Sequence, residues 1–201
     1  MPTFPAVLPL EMLNGRTVVL RPIQLTDAEA LGAAAASGEM WNSWLTTVPR
    51  PEEAASYIDA ALRERAAGVS HPFVIVEKET QRVVGTTRYA NIRSVHRCVE
   101  IGWTWLGKAW QRTGINTEAK YLLLQYAFET LSCIRVELKT DVLNERSRNA
   151  IERIGAKPEG ILRQHMIMPN GRIRDTIYFS IIDSEWPETK AKLEEKMQRL
   201  R

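Results

Sequence analysis

The chain is poor in cysteine: Cys98 and Cys133 are the 2 cysteines among 201 residues, and they form no CxxC pair. Both lie inside strand-like runs, so we expect buried free thiols rather than a disulfide or a nucleophile. The sequence also lacks an apolar run of about 18 residues, which a membrane-spanning helix needs. Residues 1–9 have neither the basic start nor the long apolar centre of a signal peptide. These absences predict a cytoplasmic protein that does not bind a membrane.

An excess of one charge is absent as well. The chain has 27 lysines and arginines against 24 acidic residues, a formal net charge of +3, and the two signs interleave. This pattern argues against nucleic acid as a partner. The motifs GxGxxG, GxxxxGK(S/T), HExxH and GxSxG do not occur, and no cysteine–histidine cluster has the spacing of metal ligands. We therefore expect no metal, no dinucleotide fold and no serine hydrolase.

The predicted elements describe one domain, taken as residues 1–201 with its core at about 13–193. Strands and helices follow one another without an internal repeat, and a hairpin precedes the last helix. This order predicts an α+β fold with a mixed, mostly antiparallel sheet flanked by helices. The predicted strands are 17–22, 72–77, 82–89, 98–106, 134–138, 161–168 and 172–182, and the predicted helices are 26–36, 51–68, about 119–131, 147–154 and 188–200.

Two local patterns carry further expectations. Thr26 and Glu29 have the spacing of a capping box, which predicts that the Thr26 hydroxyl begins the first helix. Trp103 and Trp105 are two residues apart in the strand 98–106, so a regular strand places both rings on one face. We expect at least one of these two rings to be a core residue.

The most informative segment is 111–119, with the sequence QRTGINTEA, which joins the strand 98–106 to an amphipathic helix. A glycine-bearing turn from a strand into a helix points several free backbone N–H groups at one place. The helix dipole adds partial positive charge there. The segment therefore predicts a phosphate site and a phosphorylated cofactor. The alternative is a plain turn that binds nothing.

The same segment resembles a known motif. Gln111-x-x-Gly114-x-Asn116 is similar to the pyrophosphate motif Gln/Arg-x-x-Gly-x-Gly/Ala of the GNAT N-acetyltransferases, with Asn116 in place of the last small residue. The preceding strand, from Glu100 to Trp103, resembles the branch typified by ribosomal-protein N-terminal acetyltransferases of the RimJ/RimL type. Residues 144–155 and 159–181 resemble two later motifs of that branch, so the resemblance covers about residues 13–193.

This resemblance implies a GNAT-like twisted sheet and an acetyl-CoA-dependent enzyme that moves an acetyl group to a primary amine by direct attack. It implies that Glu100 is the general base for the amine, directly or through a water. It implies that the Ser147 hydroxyl stabilises the departing thiolate. The residues implied in cofactor binding are Trp103, Thr104, Trp105, Gln111, Arg112, Thr113, Gly114, Ile115, Asn116, Thr117 and Asn144.

Each role has a structural alternative: an ion-paired carboxylate for Glu100, and helix capping for Asn144 and Ser147. The acceptor also stays open. We expect an amine-bearing partner, with a protein or peptide N-terminus favoured over a small-molecule amine or an amino-acid conjugate. A domain that binds acyl-CoA without turnover is a third possibility. The tryptophans at 41 and 44 are compatible with a homodimer.

Overall fold

The computed structural model describes residues 4–5, 8–9 and 11–199. Part of the segment 1–9 and the last residue of the predicted helix 188–200 lie outside these residues. The described chain forms one eight-stranded sheet with helices on both faces, which confirms the predicted α+β fold. The strands are β1 (Leu13–Asn14), β2 (Val18–Pro22), β3 (Ser70–Glu77), β4 (Val83–Arg93), β5 (Cys98–Leu106), β6 (Arg135–Asp141), β7 (Lys157–Ile167) and β8 (Ile173–Ile182), and the helices are α1 (Ala28–Ala36), α2 (Ala54–Ala66), α3 (Ile115–Gln125), α4 (Glu145–Glu152) and α5 (Trp186–Arg199).

The strands run in the spatial order β1-β2-β3-β4-β5-β6-β8-β7. Every neighbouring pair is antiparallel except β5 and β6, which are parallel. Antiparallel neighbours can be joined by tight turns, whereas a parallel pair needs a crossover. Here α3 and a π-helical turn at Tyr126–Thr130 supply that crossover. The parallel pair lies in the middle of the sheet, where it interrupts an otherwise antiparallel order.

Two hydrophobic clusters separate the faces of the sheet. The larger cluster lies between the sheet and α3, α4 and α5, and Leu123, Ile151 and Leu193 are among its members. The smaller cluster lies under α1 and α2, which pack over β4 and β3. Within the described part of the chain, no helix combines the length and the apolar character that crossing a bilayer requires.

The two cysteines are buried and free, as the sequence predicts. Cys133 precedes β6 and lies in the larger apolar layer, whereas Cys98 begins β5 and its sulfur accepts from Arg93 Nη2 at 2.9 Å. Burial raises the pKa of Cys133 to about 12. A thiol held in its neutral form is a poor nucleophile, which supports a packing role.

The first helix does not begin with the predicted capping box. The backbone N–H of Gln24 donates to Asp27 Oδ2 at 2.8 Å, and a short 3₁₀ turn then leads into α1. Arg21 on β2 pairs with the same carboxylate at 2.6 Å, so Asp27 is held from two sides. Thr26 stays exposed and contacts only the Gln24 side chain, at 3.5 Å. A contact from the sheet therefore decides which of two adjacent cap residues is used.

Trp103 and Trp105 share a face, as expected: Trp103 lies over Arg88 and Trp105 packs under α1 and α2, on the face that these helices cover. A bulge interrupts the pairing of β4 and β5 between Thr86–Trp105 and Arg88–Gly102, and Trp103 takes a left-handed φ of 48°. An extra residue in one strand reverses the alternation of the side chains after it. Trp105 is consequently buried under α1 and α2, whereas Trp103 is 41% exposed.

Candidate active site

The candidate site lies where the two parallel strands separate. Among the described residues, β5 and β6 pair over three positions, the last being Glu100 opposite Glu137. β5 continues to Leu106 and β6 to Asp141, so a cleft opens between their carboxyl ends. Because the strands are parallel, the turns that follow them lie at the same edge of the sheet. The segments 111–117 and 144–147 therefore both flank this cleft.

The first turn of α3 offers free backbone donors at this edge. No residue in the described ranges accepts a hydrogen bond from the N–H groups of residues 112, 113, 114, 116 or 117. The N–H of Ile115 contacts the Thr113 hydroxyl at 3.3 Å, and the first helical bond runs from Glu118 to Gly114. Free N–H groups together with the helix dipole make a site that suits a phosphate.

Side chains of the same turn hold it in place. Gln111 Nε2 donates to the carbonyl oxygen of Leu106 at 2.8 Å, and the Thr113 hydroxyl donates to the carbonyl oxygen of Trp110 at 2.7 Å. The Trp110 ring packs against the larger hydrophobic cluster and close to Gly107, where an added Cβ atom would lie 3.0 Å from the ring. Gln111 and Thr113 thus brace the turn, and the backbone carries the free donors.

The unusual backbone conformation of the turn is at Arg112, which has a φ of 64°. Asn116, which stands in place of the motif's last small residue, lies in the first turn of α3 and has no positive φ. Gly114 is the residue before the helix and has an ordinary right-handed φ of −68°. Any residue can adopt these dihedral angles, so the backbone conformation does not require glycine. Glycine is suited to this position because it places no side chain beside the free N–H groups.

The β5 side of the cleft is formed by residues 102–106. Trp105 turns its ring into the core, and the Thr104 hydroxyl meets Thr87 Oγ1 at 2.7 Å and Lys120 Nζ at 2.5 Å. Trp103 remains at the surface of the cleft, where the Arg88 guanidinium lies 5.1 Å and the Lys139 ammonium 5.9 Å from its ring centre. Because the side chains of Trp105 and Thr104 already have partners within the protein, the main chain of β5 is the part of this strand that could contact a cofactor.

Glu100 occupies the floor of the cleft and is 1% exposed. Its Oε2 accepts from Asn91 Nδ2 at 2.7 Å and pairs with Lys139 Nζ at 3.0 Å. Its Oε1 lies over Gly102, where a Cβ atom would approach it to 3.1 Å. No described residue donates a hydrogen bond to Oε1. The carboxylate is therefore ion-paired, as the alternative reading expected, and still presents one oxygen without a partner.

On the β6 side, Asn144 caps α4. Its Oδ1 accepts from the backbone N–H of Ser147 at 3.0 Å, which is the structural role that the sequence offered as an alternative. Ser147 is half-buried in the first turn of α4, and its hydroxyl has no partner among the described residues. The cap fixes the direction of this helix end, and with it the position of the hydroxyl at the edge of the cleft.

Three residues around the cleft were missed by the sequence analysis: Arg88, Lys120 and Lys139. Lys139 had a signal, because residues 134–138 alternate apolar and charged residues and the next charged position falls on the same wet face. Tyr178 is opposite Lys139 on β8, and the ammonium lies 5.7 Å from its ring centre. Arg88 and Lys120 are buried cations, and no sequence pattern marks a cation for burial.

The part of the chain that the structure describes has no group of three or more histidine, cysteine, aspartate or glutamate side chains arranged to hold a metal ion. The groups that the cleft offers to a ligand are the Glu100 carboxylate, the Ser147 hydroxyl and the backbone donors of residues 112–117.

Comparison with known proteins decides the family. The family described as Acetyltransferase (GNAT) domain matches residues 17–157. The chain belongs to the GNAT acetyltransferases. The N-acetyltransferase YoaA of Bacillus subtilis, itself uncharacterized, is 30% identical over 174 residues, which cover 85% of this chain and 96% of YoaA. A GCN5-related N-acetyltransferase from Brucella melitensis superposes with a TM-score of 0.85 at 31% identity, covering 94% of this chain and 86% of that one. This GNAT protein is thus an N-acetyltransferase that uses acetyl-CoA.

More distant relatives differ in the acceptor that their names give. The [ribosomal protein uS5]-alanine N-acetyltransferase of Escherichia coli is 23% identical over 121 residues, 59% of this chain and 61% of that protein. The spermidine N(1)-acetyltransferase of Escherichia coli is 23% identical over 175 residues, 87% of this chain and 91% of that protein. The names of these two relatives thus give different acceptors, a ribosomal protein and a polyamine.

Proposed function

We propose that this GNAT protein transfers the acetyl group of acetyl-CoA directly to a primary amine in the cleft between β5 and β6. The observation that supports the proposal is that one cleft contains both a phosphate-type site and a carboxylate with an unpartnered oxygen. Free backbone N–H groups lie at the start of α3, and Glu100 with an unpartnered Oε1 lies on the floor. The first feature suits a diphosphate and the second suits an ammonium group that must lose a proton.

The residues fit a bound CoA at three places. The N–H groups of residues 112–117 would hold the pyrophosphate. The edge of β5 left unpaired beyond Glu100 would bond to the amides of the pantetheine arm, as an added strand does. Gln111 and Asn144 would act through the turns that they brace, whereas Trp103 would border the thioester end. When bound, CoA supplies the activated acetyl group and the thiol leaving group.

The proton steps fall to two side chains. An amine has a pKa of about 8 at a chain terminus and about 10.4 on lysine, so it enters largely protonated at neutral pH. Glu100 Oε1 takes that proton, directly or through a water, while Asn91 and Lys139 hold Oε2. The Ser147 hydroxyl donates a hydrogen bond to the sulfur as negative charge develops there. Both assignments agree with what the resemblance implies.

Among primary amines, the acceptor that we favour is an α-amine, which belongs either to a peptide N-terminus or to a small molecule. The names of the relatives offer both types of acceptor, a ribosomal protein and a polyamine. The remaining candidate, an acyl-CoA sensor without turnover, is disfavoured because the cleft keeps both a carboxylate oxygen and a hydroxyl without partners among the described residues.

The test is a mass-spectrometric survey of products after incubation with acetyl-CoA and a mixed library of peptides and small amines. We expect an acetylated amine and an equal amount of free CoA, both reduced in Glu100→Gln and in Ser147→Ala. Glu195→Gln, which removes an exposed carboxylate on α5, on the other face of the sheet, serves as the control for Glu100. Binding of acetyl-CoA without release of CoA above hydrolysis, for every amine, would refute the proposal.

A further inference from the structure

The face of the sheet that leads to Glu100 has more cations than anions. α1 and α2 cover β3 and β4 on this face, and the surfaces of β5, β6 and β8 lie beyond them. Ion pairs account for the acids there, including Glu137, which pairs with Arg93 at 2.6 Å and with Arg135 at 2.8 Å. Arg88 pairs with Glu64 at 2.8 Å, Lys139 pairs with Glu100 at 3.0 Å, and Arg172 on the β7–β8 turn pairs with Asp141.

Arg174 is the cation left over. It lies on β8 on the same face as Thr176 and Tyr178, two and four residues further along the strand. It forms no ion pair with any residue of the described ranges, and its Nε is buried without an acceptor. Burial lowers the pKa of Arg174, and the carboxylates of Asp141 and Glu100 oppose that effect without forming an ion pair with it. An arginine held partly out of water without a directly paired counter-ion is costly, so it suits a bound anion.

The neighbouring unsatisfied atoms are of the same kind. On β7, β8 and the turn between them, the buried side-chain atoms without a partner among the described residues are His165 Nδ1, Arg172 Nε, Arg174 Nε and Thr176 Oγ1. Each is a donor or can act as one, and none is a carboxylate or carbonyl oxygen. Buried polar groups in proteins are nearly always satisfied, so a run of orphaned donors points to a missing acceptor-rich ligand.

From this arrangement we infer that the acceptor is an amine that also carries a carboxylate, and that Arg174 binds the carboxylate while Glu100 faces the amine. Tyr178 lies between them: it is opposite Lys139, which pairs with Glu100, and it is four residues from Arg174 on β8. The site thus offers a carboxylate to the ammonium and a guanidinium to the anion of one molecule. The inference rests on the proposed function and narrows the acceptor to a free amino acid or a short peptide with a nearby acidic group, in preference to a polyamine.

The experiment compares matched amines in steady-state acetylation: amino acids against their carboxamides, with spermidine as a polycation. The carboxamide has the less basic amine, so intrinsic reactivity favours it and works against the inference. We expect kcat/KM to be at least about 10-fold higher for the carboxylate, as for a charge-assisted contact of about 1.4 kcal/mol or more. Equal rates, or a preference for spermidine, would overturn the inference and leave the proposed function standing.

Arg174→Gln isolates the residue. This substitution should bring the carboxylate-to-carboxamide ratio of kcat/KM close to one, and Arg174→Lys should keep part of it. Arg163→Gln, on the exposed part of β7, is the control and should leave the ratio unchanged. A merely structural role would lower both substrates together and preserve the ratio, which would refute the assignment of Arg174.

Two further outcomes separate the remaining explanations. If Arg174→Gln weakens the binding of CoA in calorimetry, the guanidinium serves the cofactor and the inference is wrong. If no amine of either class is acetylated although acetyl-CoA binds, the proposed function fails, and the inference fails with it. A preference for carboxylates that depends on Arg174, with unchanged CoA affinity, is the result that supports the inference.

Discussion

Lys120 provides the sharpest test of the energetics, because the fold buries a lysine without an acid. Its ammonium nitrogen lies between two hydroxyls, 2.5 Å from Thr104 Oγ1 and 3.4 Å from Thr87 Oγ1, and the residue is 6% exposed. Burial lowers the pKa of Lys120 from 10.5 to about 7. The prediction is that Lys120→Met stabilises the protein at low pH and does so much less at high pH.

The sign follows from the two protonation states. Above pH 10.5 the lysine is neutral in both the folded and the unfolded chain, so it imposes no cost of charge burial. As the pH falls from 10.5 to 7, the unfolded chain takes up the proton and the folded chain does not, and folding loses free energy. Below pH 7 the folded protein is also charged and the loss is constant. The lysine therefore destabilises the protein most at pH 7 and below.

The magnitude can be bounded from the same shift. One pKa unit corresponds to about 1.4 kcal/mol, so the fall from 10.5 to about 7 sets an upper limit of about 5 kcal/mol. Methionine fills a similar volume, and the Thr87 and Thr104 hydroxyls can still bond to each other across their 2.7 Å separation. We expect a gain of about 2–4 kcal/mol at pH 6 that shrinks toward zero at pH 10.

Urea denaturation at pH 6, 7.5, 9 and 10 measures this difference. With a slope of about 2 kcal/mol per molar urea, the pH 6 midpoint of Lys120→Met should rise by about 1–2 M. Lys192→Met, on the exposed face of α5, is the matched control and should change stability by under about 1 kcal/mol at every pH. A variant that is destabilised equally at pH 6 and pH 10 would show that the lysine is charged in the fold and well solvated by its hydroxyls, contrary to this reasoning.

Three substitutions test the parts of the site separately. Ser147→Ala should lower kcat about 100-fold with little change in CoA affinity, as stopped thiol-release assays with calorimetry would show; an unchanged kcat removes the hydroxyl from the reaction. Glu100→Gln should also lower kcat on the order of 100-fold, most at low pH where more of the amine is protonated, and a pH–rate profile parallel to that of the parent would contradict its role as base. Gly114→Val should fold, because φ is −68° at this position, yet should raise the dissociation constant of CoA about 10-fold or more by crowding the free N–H groups; equal affinity in calorimetry argues against phosphate binding at this turn.

The sequence predicts the elements that depend on short-range patterns. The strand at 98–106 has the predicted bounds, because its apolar residues lie between a histidine-containing turn and a glycine that ends it. The strand β4 runs to Arg93, four residues beyond its predicted end, because it is paired on both sides with β3 and β5 and neighbours prolong it. Local patterns thus establish which elements exist, whereas pairing establishes how long they are.

The errors of the sequence analysis share a cause: where a segment has two possible local arrangements, contacts with residues distant in sequence determine which one forms. Thr26 and Asp27 are equally suited to a helix cap by type, and the choice is made by Arg21 from β2. Lys120 lies on a helix that otherwise turns leucines and alanines inward, and only the hydroxyls of Thr87 and Thr104 make its burial tolerable. A pattern within one segment cannot contain information about a partner that the fold brings from another segment.

The bulge at Trp103 shows how one such unpredicted feature shapes the site. In a regular strand the side chains of Trp103 and Trp105 would lie on the same face as Ile101, against α3. The Thr104 side chain would lie on the opposite face, the face of Glu100. The extra residue reverses this order: Thr104 turns toward Lys120 and Trp105 enters the core beneath α1. Trp103 is then free to lie against Arg88 and Lys139 beside the carboxylate.

A left-handed φ costs a tryptophan on the order of 1 kcal/mol, and such strain persists only when its surroundings impose it. Here cations hold the ring from one face of the sheet, and the Thr104–Lys120 contact holds the chain from the other. The bulge also falls where β5 has lost its pairing with β6, so its displaced backbone borders the cleft. The strain is thus located where, under the proposed function, main-chain groups of β5 face the cofactor and not a neighbouring strand.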